Sequence, residues 1–418
     1  MMEEVETKMI FSLRNNKKYP QAKEIARTLF NAGHRVLFAG GCVRDSILGN
    51  PSDDIDIATS ATPEQIQALF PKTVAVGAQF GVIMVISQGN PFEVATFRQD
   101  QGYSDGRRPD GVLFSDEKED ALRRDFTVNG LFYDPFSETV LDYVEGQKDL
   151  KKGIIRTIGR PQDRFEEDKL RLLRAIRFSA KLSFTIEADT MRAIKTMSAQ
   201  LSQISRERIR DEIFKIFHLE KTLPSLQLIV KTNLWPKIFP FKAEEKNFSF
   251  LAALPRQILP EFKLLGLCWE NATHLIPTLS DNFRLSRRQN NYLDNLNFFL
   301  THFKELPTWR LASILRAFRR DPISQILTFL DLWQKFFLPG EKELLNFIQS
   351  TYETHRDKLA VPGLLGGQDL IDMGLSPSAH FKEILFEAEN LELEGALRTR
   401  AEALRWLTQI RGKYDSEI

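Results

Sequence analysis

The chain has 418 residues, room for roughly two to four domains, and its 42% hydrophobic and 27% charged residues are ordinary for a globular protein. The net charge of +1 excludes a global field for polyanions, so any basic surface has to be local. Two distant cysteines, Cys42 and Cys268, exclude a disulfide framework and a Cys-based zinc site; without an apolar leader or a run near ~18 apolar residues, the expected location is cytoplasmic, with no membrane partner.

In chain order, residues 19–32 read as an amphipathic helix with Ala22, Ile25, Ala26, Leu29 and Phe30 on one stripe, stopped by Gly33. Residues 36–39, Val-Leu-Phe-Ala, form a short apolar strand. Gly40-Gly41 follows, then helical character from 43 to 48. Glycines at a strand-to-helix turn let backbone N–H groups approach a phosphate, and Arg44, one turn in, can add a bidentate fork. After an Asn50-Pro51-Ser52 turn, residues 54–58 alternate as a half-buried strand does. That period puts Asp54 and Asp56 side by side. Either the pair is a solvated strand edge or it binds a divalent cation such as Mg²⁺ together with substrate phosphates.

Thr62 and Pro63 open another helix with Ile66, Leu69 and Phe70 as its apolar residues. The period then becomes two: residues 82–86, a turn at 87–90, and residues 92–97 read as a hairpin completing a mixed sheet. Glu93 lies on its second strand. Residues 99–114 are rich in Gly, Asp and Arg and read as a long loop. In residues 122–130 two arginines, Arg123 and Arg124, adjoin Asp125. Residues 165–181 carry the strongest helical pattern, with Leu170, Leu172, Leu173, Ile176 and Ala180 on one side and Asp168, Arg171, Arg174 and Arg177 sweeping across the other. Asp168 and Arg171 are either an ordinary i, i+3 ion pair or a fixed acceptor and donor. Cytosine and adenine each present an amino donor beside a ring-nitrogen acceptor, which such a pair matches. Guanine and uracil present the reverse order and would leave both groups mispaired. Between residues 151 and 217, Lys and Arg outnumber Asp and Glu by 16 to 9, a local basic excess suited to an RNA end.

Three stretches together carry a family resemblance: Gly40-Gly41-Cys42-Val43-Arg44-Asp45 with Asp54-Ile55-Asp56, then Arg123-Arg124-Asp125-Phe126-Thr127-Val128-Asn129-Gly130, then Glu167-Asp168-Lys169-Leu170-Arg171. The chain resembles the tRNA nucleotidyltransferase and poly(A) polymerase family, class II within the DNA polymerase beta superfamily. The resemblance implies an α+β fold: a nucleotidyltransferase head with a mixed β-sheet at 1–150, then an all-helical neck at 151–220, body at 221–360 and tail at 361–418. It implies that Asp54 and Asp56 hold the catalytic metal, Mg²⁺, and that Gly41, Arg44 and Arg124 touch the nucleotide. Glu93 stands as a third catalytic carboxylate or as the solvent-facing member of its strand. Asp168 and Arg171 would read the base, with Arg174 and Arg177 facing phosphate or nucleotide. The Tyr103–Pro109 stretch resembles the family's flexible loop, tied to adenosine addition, and residues 142–159 a connector that reads as a hinge. Residues 204–209 resemble a buttressing motif in which Ser205 caps a helix, and Arg284 to Arg288 a loop-helix of the body. At 376–379, Ser-Pro-Ser-Ala stands where the family pattern has Pro-Gly-Pro. The implied activity is addition of CCA to the tRNA 3′ end from CTP and ATP. Poly(A) addition, CC-only or A-only addition, and a non-catalytic RNA-binding role are the alternatives.

Overall fold

The computed structural model describes residues 13–102, 111–359, 363–377 and 380–414. These form two compact units, one running through Ala243 and taking in Asn282–Arg284, the other made of Glu244–Asp281 and the chain from Leu285 onward.

In the first unit, helix Tyr19–Asn31 buries Ala22, Ile25, Ala26 and Leu29 as its periodicity demands. Phe30 departs from expectation. It falls at the edge of the stripe, is 53% exposed, and packs on Phe136 at a ring-centroid distance of 4.6 Å. Beyond the helix lie strands β1 (Val36–Ala39), β2 (Asp56–Thr59), β3 (Thr73–Gly77), β4 (Val82–Ser87) and β5 (Asn90–Thr96). Arg98–Gln101 is β6, Gly111–Phe114 is β7, and Leu131–Asp134 and Thr139–Asp142 are β8 and β9. Seven of them make one sheet in the order β3-β4-β5-β2-β1-β8-β9. It is mixed because β2 and β5 pair in parallel while their other neighbours are antiparallel. The two-residue turn Gln88-Gly89 has positive φ at both positions, which matches the right-handed twist of the hairpin it closes. Thr62 caps helix Pro63–Leu69 in a reciprocal capping box with Gln65.

Two expectations change here. Residues 99–114 are not loop at their ends: β6 and β7 pair as an antiparallel hairpin, Arg98 opposite Phe114 and Gln101 opposite Gly111. The Tyr103–Pro109 motif lies outside the described residues. The second change is in the expected helix at 165–181, which is broken. Helix Pro161–Glu167 ends at Asp168, and a new helix, Arg171–Leu182, starts after a turn. The Asp168 carboxylate accepts the Leu170 backbone N–H at 3.0 Å, and this local bond competes with helical continuation. Ser205 occupies the N-cap position of helix Arg206–Phe217, but its side chain makes no capping bond.

The connector at 142–159 contains a helix, Gly146–Lys152, closed by Gly153 at φ +64°. Asp142 anchors its start, accepting the backbone N–H groups of Gly146 at 3.0 Å and Gln147 at 2.9 Å. Asp149 reaches back to the Thr127 hydroxyl at 2.8 Å. The helix sits flush against the Thr127 turn because Gly146 has no side chain.

The second unit is helical throughout its described residues, from Glu245–Ala253 to Arg400–Tyr414. Its aromatics are core: Phe250, Phe262 and Phe329 are fully buried and pack edge to face. Ser286 caps helix Arg287–His302 and puts Arg287 and Arg288 in its first turn. Leu370, Leu375, Ile384 and Leu407 make a smaller core among the last helices. Of the diverged 376–379 stretch, residues 378 and 379 lie outside the described residues.

A Cβ on Gly146 would sit 2.3 Å from the Thr127 carbonyl oxygen, backbone that cannot swing aside. Gly146→Ala is expected to destabilise the first unit by about 1–3 kcal/mol, read by urea denaturation. An unchanged midpoint would show that the connector helix can shift without cost.

Candidate active site

The site grows out of the end of β1. Ala39 is opposite Asp56 on one side and Phe132 on the other. The next residue, Gly40, turns the chain at φ +70°, a backbone region open mainly to glycine. A Cβ there would also lie 2.9 Å from Arg124 Nη1, so the missing side chain is what lets that guanidinium lie against the turn. Helix Gly41–Ile47 starts at once, two residues earlier than the sequence suggested.

On β2 and β5 the parallel register pairs Ile57 with Val94. Asp56 and Glu93, each one residue earlier, are therefore neighbours, and both line a cleft of about 540 Å³. Desolvation and the Glu93 charge push the Asp56 carboxyl up to about 6; Arg124 opposes them and Asp54 adds to them. Asp54 is placed differently from expectation. It precedes β2 instead of lying on it, its side chain is 76% exposed, and Lys18 Nζ pairs with it at 2.6 Å. It is absent from the cleft lining, although its charge reaches Asp56. Cys42 is buried beside this group. Its thiol is pushed up to about 12 by burial and the Asp56 charge, and so stays protonated.

Gly41, Arg44 and Arg124 line the same cleft. Arg44 is 2% exposed and spends its fork on Asp45, Nε to Oδ1 at 2.7 Å and Nη2 to Oδ2 at 2.9 Å, with Nη1 on Asn129. Arg124 donates to Asp120 and, at 3.2 Å, to the Asn129 carbonyl, and lies over the Phe132 ring.

From the helices come Asp168, Leu170, Arg171, Arg174 and Phe178. Asp168 and Arg171 share the cleft, but each is bonded elsewhere. Asp168 Oδ2 accepts Arg208 Nη2 at 2.8 Å, while Arg171 pairs with Glu167 and donates to the Arg164 carbonyl at 2.9 Å. Arg174 Nε donates to Asp125 Oδ2 at 2.8 Å. Arg177 is not among the cleft residues; its guanidinium pairs with the buried Glu212 and covers the Phe178 ring.

Sequence reasoning read Gly40 with Gly41 as a phosphate-approaching turn but did not single out Asn129, Asp125 or Arg208 as parts of the cleft. Arg208 stands 40 positions from Asp168, so no local period could signal the pair. Asn129 and Asp125 lie within the second motif, and their spacing of four, which lets Asn129 Nδ2 donate to Asp125 Oδ1 at 3.0 Å, was the available clue.

The comparisons agree with this geometry. A family model described as "Poly A polymerase head domain" matches residues 36–156, and one described as "Probable RNA and SrmB- binding site of polymerase A" matches 183–245. A CCA-adding enzyme from Lactiplantibacillus plantarum is 41% identical over 337 residues, 75% of this chain and 83% of that relative. The crystal structure of the Bacillus stearothermophilus CCA-adding enzyme in complex with CTP superposes with a TM-score of 0.77 at 27% identity, covering 96% of this chain and 100% of that one. The Thermotoga maritima CCA-adding enzyme complexed with tRNA-CCA shares the fold at 21% identity, with a TM-score of 0.61 and coverage of 96% and 98%. Sheet, cleft and head-domain match define a nucleotidyltransferase with a polymerase-beta-like head. Within that class, the chain belongs to the CCA-adding enzyme family. Among the described residues no helix is long and apolar enough to cross a membrane.

Burial alone would raise the Asp125 carboxyl; the Arg174 charge, the Asn129 bond and Arg171 outweigh it and hold the group at about 2. A carboxyl depressed on folding contributes stability above its unfolded value, lost as pH falls through the folded one. Between about pH 4 and pH 2 the wild type is expected to lose about 2–3 kcal/mol through this group. Asp125→Asn, less stable at pH 7, should show a correspondingly flatter loss in urea titrations across that window. Parallel curves for the two proteins would rule out the linkage.

Proposed function

We propose that this chain adds cytidine, cytidine and adenosine to the 3′ end of tRNA, taking them from CTP and ATP. One observation carries the reading: Asp56 and Glu93 from the sheet, Arg44 and Arg124 from the turns, and Asp168, Arg171 and Arg174 from the helices all line one cleft. Relatives solved with CTP and with tRNA-CCA support it. The buried, unpaired thiols of Cys42 and Cys268 suit a reducing compartment, and we place the protein in the cytoplasm.

For the cation we propose Mg²⁺. Among the described residues no cluster of three or more ligating side chains closes a preformed cage. Magnesium does not need one, being held typically by one or two carboxylates and substrate phosphates. The donor chemistry fits: two all-oxygen groups, Asp56 and Glu93, side by side, with the first pushed toward protonation by burial and by the charge of the second. Asp54 would join them by leaving Lys18. When bound, the ion would acidify the RNA 3′-hydroxyl and neutralise charge on the departing pyrophosphate.

The chain's own residues then have distinct tasks. Gly40 and Gly41 leave backbone free for the triphosphate, and Arg124 and Arg174 supply positive charge to it. Arg44 orders the turn through Asp45 and Asn129. Asp168 and Arg171 read the base edge. Arg208 and the Leu170 N–H each hold one oxygen of Asp168, which leaves each oxygen a lone pair for an amino group. Arg177 acts indirectly, bracing the reading helix against Glu212.

A tRNA lacking CCA, offered each nucleotide singly and in mixtures, should gain CC from CTP and CCA from CTP with ATP. A long A-tail would instead assign poly(A) polymerase activity, and termination after CC a partial enzyme. Asp56→Ala should abolish every addition while tRNA binding persists; residual transfer at the wild-type rate would remove the metal reading.

Asp168→Ala tests the base-reading step by specificity. Incorporation of C and A should fall relative to U and G, with discrimination shrinking roughly 10- to 100-fold, the worth of one bond to a charged group. Uniform loss with U and G still rejected would confine Asp168 to a structural role.

A further inference from the structure

Asp120 belongs to no stretch assigned a role above, yet this carboxylate beside the cleft accepts five hydrogen bonds. It lies on helix Glu117–Leu122 and is 2% exposed. Its Oδ1 accepts Arg123 Nε at 2.8 Å and Nη2 at 2.6 Å, and the Arg98 backbone N–H at 3.4 Å. Its Oδ2 accepts Arg124 Nε at 3.2 Å and Nη2 at 3.0 Å. A carboxylate offers about four lone-pair sites, so five donors leave none for a metal or a substrate proton. Asp120 is therefore no ligand and no base; what it does is orient.

Three things meet at this one group. Arg123 and Arg124 both line the cleft, and as adjacent cations they would repel each other without an anion between them. Burial would raise the Asp120 carboxyl, but Arg124 and Arg123 outweigh it and hold it below the ordinary range, so the anion persists. The third element is the root of the β6–β7 hairpin. Arg98 is the first residue of β6, and its backbone is tied to Asp120 directly. A second link runs through side chains: Arg98 Nε to Asp100 at 3.0 Å, and Asp100 to Arg123 Nη1 at 3.8 Å. Arg98 and Asp100 also line the cleft.

We infer that Asp120 is a positioning residue for the nucleotide: it aims Arg123 and Arg124 at the triphosphate and registers the β6–β7 hairpin to them. The inference rests on the reading of this cleft as the nucleotide site. Arg124 meets the triphosphate on the side of Asp56 and Gly40, and Arg123 on the side of the hairpin. Substrate phosphate then encounters two guanidiniums already held in place, so little side-chain entropy remains to be lost on binding.

The test compares full-length wild type, D120N and D120E. Measurements are nucleotide binding by equilibrium dialysis with CTP and with ATP, steady-state kinetics on tRNA lacking CCA, tRNA affinity and thermal unfolding. In D120N the amide presents a donor toward guanidinium donors and releases one arginine. KM and Kd for CTP and ATP should rise about tenfold while kcat stays within about threefold and tRNA affinity is unchanged. D120E, which restores the anion, should recover most of the nucleotide affinity. A purely structural role would instead lower kcat with the folded fraction and leave KM where it was, and that result overturns the inference. If D120N does not fold, D100N cuts the side-chain link with Asp120 left in place and should raise KM about threefold; an unchanged KM in that variant overturns the inference equally. Failure of the wild type to bind CTP or ATP would defeat the nucleotide-site reading itself. Wild-type binding with D120N indistinguishable from it defeats only the role of Asp120.

Discussion

The cleft depends first on strand register. Ala39 faces Asp56 across β1 and β2, and Ile57 faces Val94 across β2 and β5. Those pairings put two carboxylates on adjoining positions at the one point where the chain leaves β1 through a left-handed glycine. A one-residue slip between β2 and β5 would send Glu93 to the other face of the sheet. The buried residues around them, Leu37, Phe38, Ile57 and Val94, prevent the slip, because it would expose an apolar set worth several kcal/mol. Hydrophobic packing thus sets the distance between two like charges. The Glu93 charge raises the Asp56 carboxyl, and the Arg124 charge opposes that rise.

Around this pair, each arginine is held by an acid placed behind it. Arg44 has Asp45, Arg124 has Asp120, Arg171 has Glu167 and Arg174 has Asp125. Such pairs are weak arguments for stability, since desolvation offsets much of the attraction. Their effect here is geometric. A guanidinium fixed by an acid has a set direction, so the arginines that line the cleft form an ordered array instead of mobile side chains. Phe178 contributes to the same order, with the guanidiniums of Arg44, Arg174 and Arg177 within 5.4 Å of its ring centroid, spacing like charges by an aromatic surface.

The broken helix at Asp168 belongs to this logic. A continuous helix would have carried Asp168 on a regular surface beside Arg171, as an i, i+3 pair. The turn frees Asp168 to be gripped by Arg208 from a helix forty positions away, while Arg171 turns to Glu167 and the Arg164 carbonyl. Acceptor and donor are thereby separated from each other and oriented independently. Arg208 and the Leu170 N–H hold Asp168, while Glu167 and the Arg164 carbonyl hold Arg171.

What the sequence by itself determined is local. The apolar run of β1, the glycine pair, the alternating Asp54 to Ala58 stretch, the capped helix after Thr62 and the β4–β5 hairpin follow from period and turn chemistry within about ten residues. These sufficed for an α+β head with a helical remainder, and the spacing of the motifs sufficed for the family. Tertiary structure alone decided which charges share a cleft. Asp54 was drawn to Lys18, Arg177 to Glu212 and Asp168 to Arg208, partners 36, 35 and 40 positions distant. A side chain's period says which way it leaves its own element. Which opposite charge it finds depends on the packing of elements whose separation along the chain no local pattern records.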